Sequence, residues 1–145
     1  MAGKEMTVTL HMTQDGEEIR QTVTGRYIEK DGEHILSYTD HTGNMHTRVI
    51  MRMGPERMRM KRIGALRSEW LFDPSEPYLV DYRSPYGDML LEVRTKLYRC
   101  RRDGTRVRVH LEYELYQEKT RAAVNVMRIT LAPPDEKNDQ KTLDF

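Results

Sequence analysis

Residues 87–117 read GDMLLEVRTKLYRCRRDGTRVRVHLEYELYQ, and their alternation decides the fold. In the first half Met89, Leu91, Val93, Thr95 and Leu97 share one face, and Glu92, Arg94, Lys96 and Tyr98 share the other. In the second half Val107, Val109, Leu111, Tyr113 and Leu115 alternate with Arg106, Arg108, His110, Glu112 and Glu114. A period of two sustained over this length specifies a half-buried strand. The two runs therefore predict a long hairpin with one apolar and one charged face. A three-residue loop, Arg102-Asp103-Gly104, keeps the faces consistent and puts glycine where positive φ is needed. It sets Val93 opposite Tyr113 and Leu97 opposite Val109 inside, with Arg94 opposite Glu112 and Tyr98 opposite Arg108 outside. A two-residue Asp-Gly loop would set each strand's apolar face against the other's charges.

The same pattern extends in both directions. Met6, Val8, Leu10 and Met12 alternate with threonines and a histidine, and a two-residue Asp15-Gly16 turn pairs Met12 with Ile19 and Val8 with Val23. Gly25, inside the strand from Ile19 to Lys30, signals a bend or a close backbone approach. Further strands are predicted at Glu33–Asp40, Met45–Met53 after a Thr42-Gly43-Asn44 turn, Glu56–Arg62, Ser68–Phe72 and Pro77–Arg83. The last, Thr120–Leu131, follows a tight Glu118-Lys119 connection. It is apolar on both faces, which implies cover on both sides or a bulge. About nine or ten short strands with nearest-neighbour turns favour a single all-β domain, an antiparallel up-and-down barrel that closes its own edges. A β-sandwich is the alternative. Residues 1–131 form the barrel domain, and the polar, patternless residues 132–145 are expected to be a mobile tail.

At 145 residues the chain is long enough for a real core, and its net charge of +1 does not point to nucleic acid or an anionic membrane. Ten methionines supplement two phenylalanines and one tryptophan as core filler. One cysteine, Cys100, excludes an internal disulfide framework and a cysteine zinc site. No apolar leader opens the chain, and no run approaches the roughly 18 apolar residues of a membrane helix, so a cytoplasmic, membrane-free protein is expected.

Several segments, in order along residues 5–131, resemble the YwiB-like family of bacterial proteins. They are Gly25-Arg26-Tyr27, Leu36-Ser37-Tyr38, Arg62-Ile63-Gly64-Ala65, Ser84-Pro85-Tyr86-Gly87, Thr95, Leu111 to Leu115 and Asn125 to Thr130. The resemblance implies a calycin-like barrel, akin in shape to lipocalins, from a domain of unknown function. It brings no catalytic residues with it.

Four kinds of site are legible. His41 and His46 flank a turn beside Asp40, but two imidazoles and a carboxylate at an exposed tip fall short of a built metal site, so no metal or cofactor is expected. His11 and His110 fall on polar strand faces. No serine or cysteine sits in a nucleophile motif, and the protein is expected not to be an enzyme. Arg48, Arg52, Arg57, Arg59, Lys61, Arg62 and Arg67 read as one basic outer face, with Arg99 to Arg108 as a second, which suits a protein- or RNA-interaction module. Nucleic acid is disfavoured by the scarcity of interleaved aromatics beyond Tyr98 and Tyr116. Cys100 reads as outward-facing between two arginines that favour its thiolate. The leading reading is the barrel interior, where Tyr38, Trp70, Thr95 and Tyr113 add polar handles to an apolar lining, as small-molecule sites do. The expectation is non-enzymatic binding of a small apolar ligand, by a monomer or homodimer.

Overall fold

The computed structural model describes residues 3–41 and 46–134. These form ten strands: β1 (Lys4–Gln14), β2 (Glu17–Lys30), β3 (Glu33–Asp40), β4 (Thr47–Met53), β5 (Met58–Gly64), β6 (Ser68–Phe72), β7 (Tyr78–Ser84), β8 (Gly87–Asp103), β9 (Arg106–Gln117) and β10 (Thr120–Ala132). One sheet contains them all, in the order β6-β5-β4-β3-β2-β1-β10-β9-β8-β7, and every ladder is antiparallel. The sheet curls until its edge strands, β6 and β7, meet at a single bridge between Arg67 and Arg83. Its two backbone hydrogen bonds are 2.9 and 2.8 Å long. The result is the up-and-down barrel read from the sequence, nearly closed. No helix among the described residues is long and apolar enough to cross a membrane. The Thr42-Gly43-Asn44 turn and nearly all of the C-terminal tail lie outside the described residues.

Turn chemistry sets the register at the N-terminal hairpin as expected. Asp15 and Gly16 both adopt positive φ, 49° and 89°, the primed geometry that matches strand twist. Met12 faces Ile19 and Val8 faces Val23. Gly25 is a close approach: a Cβ there would lie 2.8 Å from Leu36 Cδ1, 3.1 Å from the Ser37 carbonyl oxygen and 3.3 Å from Val8 Cγ2. β10 carries a bulge between Arg121 and Ala123. Beyond it Met127, Ile129 and Leu131 face the core, Val124 stays exposed on the other face, and burial of Thr130 and Ala132 shows both faces covered at the end of the strand.

The long hairpin departs from the expected register. Asp103 pairs with Arg106, so the loop is Gly104-Thr105 and the three-residue Arg102-Asp103-Gly104 loop does not form. The faces are reconciled instead by a bulge at Lys96, between Thr95 and Leu97. Before it, Val93 faces Leu115 and Thr95 faces Tyr113; after it, Tyr98 faces Leu111 and Cys100 faces Val109. One extra residue inverts the facing of everything beyond it. Tyr98 thus turns into the core and donates a 2.7 Å hydrogen bond to the Gly54 carbonyl, instead of standing outside against Arg108. Arg94 faces Glu114, not Glu112.

The core fills the barrel lumen. Val8, Leu36, Val49, Met53, Met58, Phe72, Val80, Val107, Val109, Leu111, Ile129 and Leu131 are fully buried there. Six of the ten methionines, Met6, Met51, Met53, Met58, Met60 and Met127, are buried in it as adaptable filler.

Candidate functional site

The barrel wall is weakest between β6 and β7. Continuing the Arg67–Arg83 register one residue at a time would set Trp70 against Val80 on the inside and Glu69 against Asp81 on the outside. Like charges directly opposite each other disfavour a ladder. Each carboxylate takes a partner on its own side of the gap, Glu69 with Lys61 at 3.4 Å and Asp81 with Arg83 at 3.1 Å. The strands stay joined at Arg67–Arg83 and at the Asp73–Pro77 loop, with no ladder between. An open cleft of about 370 Å³ occupies this seam. Arg62, Ser68 and Tyr78 line it from the inner faces of their strands, and Lys61, Arg67 and Arg83 stand around it.

Arg62 belongs to the inside. On β5 the buried residues are Met58 and Met60, and Arg62 continues their phase, half-buried. Composition groups it with the outer arginines; strand alternation overrides that grouping, because Arg62 is even-numbered like the two methionines, whereas Arg57, Arg59 and Lys61 are odd. Asp40 likewise continues the inward phase of Leu36 and Tyr38 on β3. The two pair across β4 with Arg62 Nη1 3.6 Å from Asp40 Oδ2, while Gln21 Nε2 donates to Asp40 Oδ1 at 3.4 Å.

The four interior residues singled out from sequence are all buried, with Trp70 the most exposed at 8 %. Trp70 donates its indole N–H to Ser68 Oγ at 2.8 Å and stacks on Phe72, whose ring lies 4.8 Å from that of Tyr113. Burial pushes the phenols of Tyr38 and Tyr113 up to about 12, and in both the charge of Arg62 opposes the shift. At Tyr113 a hydrogen bond with Asn125 opposes it too. Both hydroxyls therefore stay protonated and able to donate near neutral pH. Thr95 and Asn125 flank Tyr113 in one cross-strand row. Thr95 Oγ1 and Asn125 Oδ1 are buried without a hydrogen-bond partner, and Asn125 is only 1 % exposed. Such orphans are uncommon in native interiors. The four do not share one pocket wall: Tyr38 borders a separate cleft of about 580 Å³ beside Gly25 and Arg48, and Thr95 borders one of about 330 Å³ beside Pro74 to Pro77. Arg62 and Ser68 link the seam to Tyr38, Tyr113 and Trp70. Sequence reasoning missed Arg62, Asp40, Ser68 and Asn125, though each sits in phase with its strand's apolar residues.

The remaining candidates fare differently. The Lys96 bulge turns Cys100 against the core, and burial pushes its thiol up despite a hydrogen bond with Tyr98 that opposes the shift. The expectation of an outward, thiolate-favouring cysteine is thereby overturned. His41 and His46 meet through their Nδ1 atoms at 2.6 Å. No group of three or more His, Cys, Asp or Glu side chains among the described residues is arranged to hold a metal ion. On the outer face Arg99, His110, Arg128, His11 and Arg20 are successive cross-strand partners over five strands. Glu112 and Glu18 accompany the two histidines of that row.

The family model described as Domain of unknown function (DUF1934) matches residues 5–129. The chain belongs to that family. A DUF1934 member therefore carries this ten-stranded barrel, which is also similar to the crystal structure of ywiB protein from Bacillus subtilis, with a TM-score of 0.76 and 24% identity over 91% of this chain and 95% of that one. At that identity the likeness speaks for the fold alone. No curated protein matches the chain.

Proposed function

We propose that this protein is a non-enzymatic binding protein that takes a small, largely apolar molecule at the β6–β7 seam of its barrel. The observation that carries the reading is the seam itself: a barrel otherwise closed by ladders is open where inward polar groups, Arg62 and Ser68, reach the gap. Its volume sits at the lower end of the small-molecule range. Tyr78 and the exposed side chains of Leu79 and Ile63 offer apolar surface beside it. Tyr38, Trp70, Thr95 and Tyr113 form the supporting interior; the raised phenols suit hydrogen-bond donation more than base catalysis. Native mass spectrometry of protein purified gently from its own host tests this. The reading expects an adduct of a few hundred daltons that vanishes on denaturation; a bare protein counts against it.

A second reading, an interaction module on the outer face, draws support from the Arg99-His110-Arg128-His11-Arg20 row. Such a row would favour phosphates and would lose affinity steeply with salt. RNA binding that is absent at low salt removes its nucleic-acid form.

A further inference from the structure

We infer that the seam ligand carries an anionic oxygen head, a carboxylate or phosphate, and that Arg62 receives it by leaving Asp40. The inference rests on the proposed seam site and adds the chemistry of the head group.

Charge at the seam points this way. Four basic residues line it, Lys61, Arg62, Arg67 and Arg83, against two acidic ones, Glu69 and Asp81. Lys61 and Arg83 are the partners of those two carboxylates. That leaves Arg67, and Arg62, whose carboxylate partner Asp40 lies two strands away on β3, so a cationic ligand would meet two guanidinium groups. Arg62 is also only loosely held by Asp40 where it stands. A guanidinium presents five N–H donors in a planar fork that suits an oxyanion bidentately. The ion pair of Arg62 with Asp40 spans 3.6 Å, beyond hydrogen-bond length. Asp40 would not be abandoned if Arg62 turned, because Gln21 holds its other oxygen. Arg62 is thus an inward cation weakly tethered to a competitor that has its own second partner, at the lip of an open cleft. An incoming carboxylate can offer the short, two-point pairing that Asp40 does not.

The inference is tested by two-dimensional amide NMR with three probes that differ in head group: octanoate, octanol and octylamine. Octanoate is expected to shift the amides of Arg62, Ser68, Tyr78 and Arg83 and to bind about tenfold more tightly than either other probe. Arg62→Gln should lower octanoate affinity about tenfold, and Arg62→Lys, which keeps the charge but loses the fork, by less. Asp40→Asn provides an arm independent of whether Arg62→Gln folds: removing the competing carboxylate should tighten octanoate several-fold. Octanol binding at the seam as tightly as octanoate, with Arg62→Gln without effect or Asp40→Asn weakening octanoate, overturns the anionic head while leaving the seam site intact. If none of the three probes moves the seam amides, the site itself falls, and the head-group inference with it.

Discussion

The guanidinium of Arg62 on β5 reaches across β4 to the carboxylate of Asp40 on β3, 3.6 Å away and on the inner face of the barrel. Two opposite charges face inward here from strands whose other inward residues are mostly apolar. Both side chains are largely but not fully covered, with 22% and 16% exposure, so the pair sits at the lumen's edge rather than in its dry middle. There, desolvation and attraction come close to cancelling.

That placement gives a first expectation. A double-mutant cycle with Arg62→Gln and Asp40→Asn, read by urea unfolding, should return a coupling of only about 1 kcal/mol that shrinks as salt rises. A coupling several times larger would mean the pair is a structural lock, unavailable for exchange with a ligand.

Gly25 should tolerate no side chain. An alanine Cβ would press on Leu36 Cδ1 and on the Ser37 carbonyl, and Leu36 is fully buried with little room to move. Gly25→Ala is expected to lower stability by about 1–3 kcal/mol, as overpacking does, measured as a drop in the urea midpoint with an unchanged slope.

Alkaline pH should unfold the barrel through its interior phenols. Tyr38 and Tyr113 are held up to about 12 in the fold, above the value near 10 of an unfolded chain. The folded state therefore keeps protons that the unfolded state releases. The stability this contributes is complete below pH ~10 and is lost as pH rises through about 12. Thermal melts across that window should fall less steeply for Tyr113→Phe than for the parent protein.

Cys100 should react slowly. With its thiol pushed up by burial and its side chain packed against the core, modification by a disulfide reagent near pH 8 should run well below the rate of free cysteine. Unfolding in urea should restore the ordinary rate.

Much of this architecture is legible from alternation. Odd-numbered residues on β9 from Val107 to Leu115 turn inward as their polarity implies, and the Asp15-Gly16 turn delivers the expected pairs. What escapes such reading is a bulge in a strand whose two faces are both plausible. Around Lys96, Leu97 and Tyr98 are each able to sit inside or outside, so polarity gives no sign of the phase change that turns Tyr98 and Cys100 inward. The site escapes for a related reason. Arg62 and Asp40 are inward by position but polar by type, and composition outvotes phase when arginines crowd one segment. Counting from Met58 and Met60 recovers Arg62; its pairing with Asp40 needs the strand order.

The seam is where the account is most exposed. If the opposed carboxylates Glu69 and Asp81 hold β6 and β7 apart, replacing both with threonine should let the ladder continue from Arg67–Arg83. The decisive measurement is octanoate affinity of the Glu69→Thr, Asp81→Thr protein, taken alongside amide exchange in β6 and β7. The account expects the amides to become protected and octanoate binding to be lost. Protected amides with octanoate affinity unchanged would contradict it, because the ligand would then be entering somewhere other than the seam.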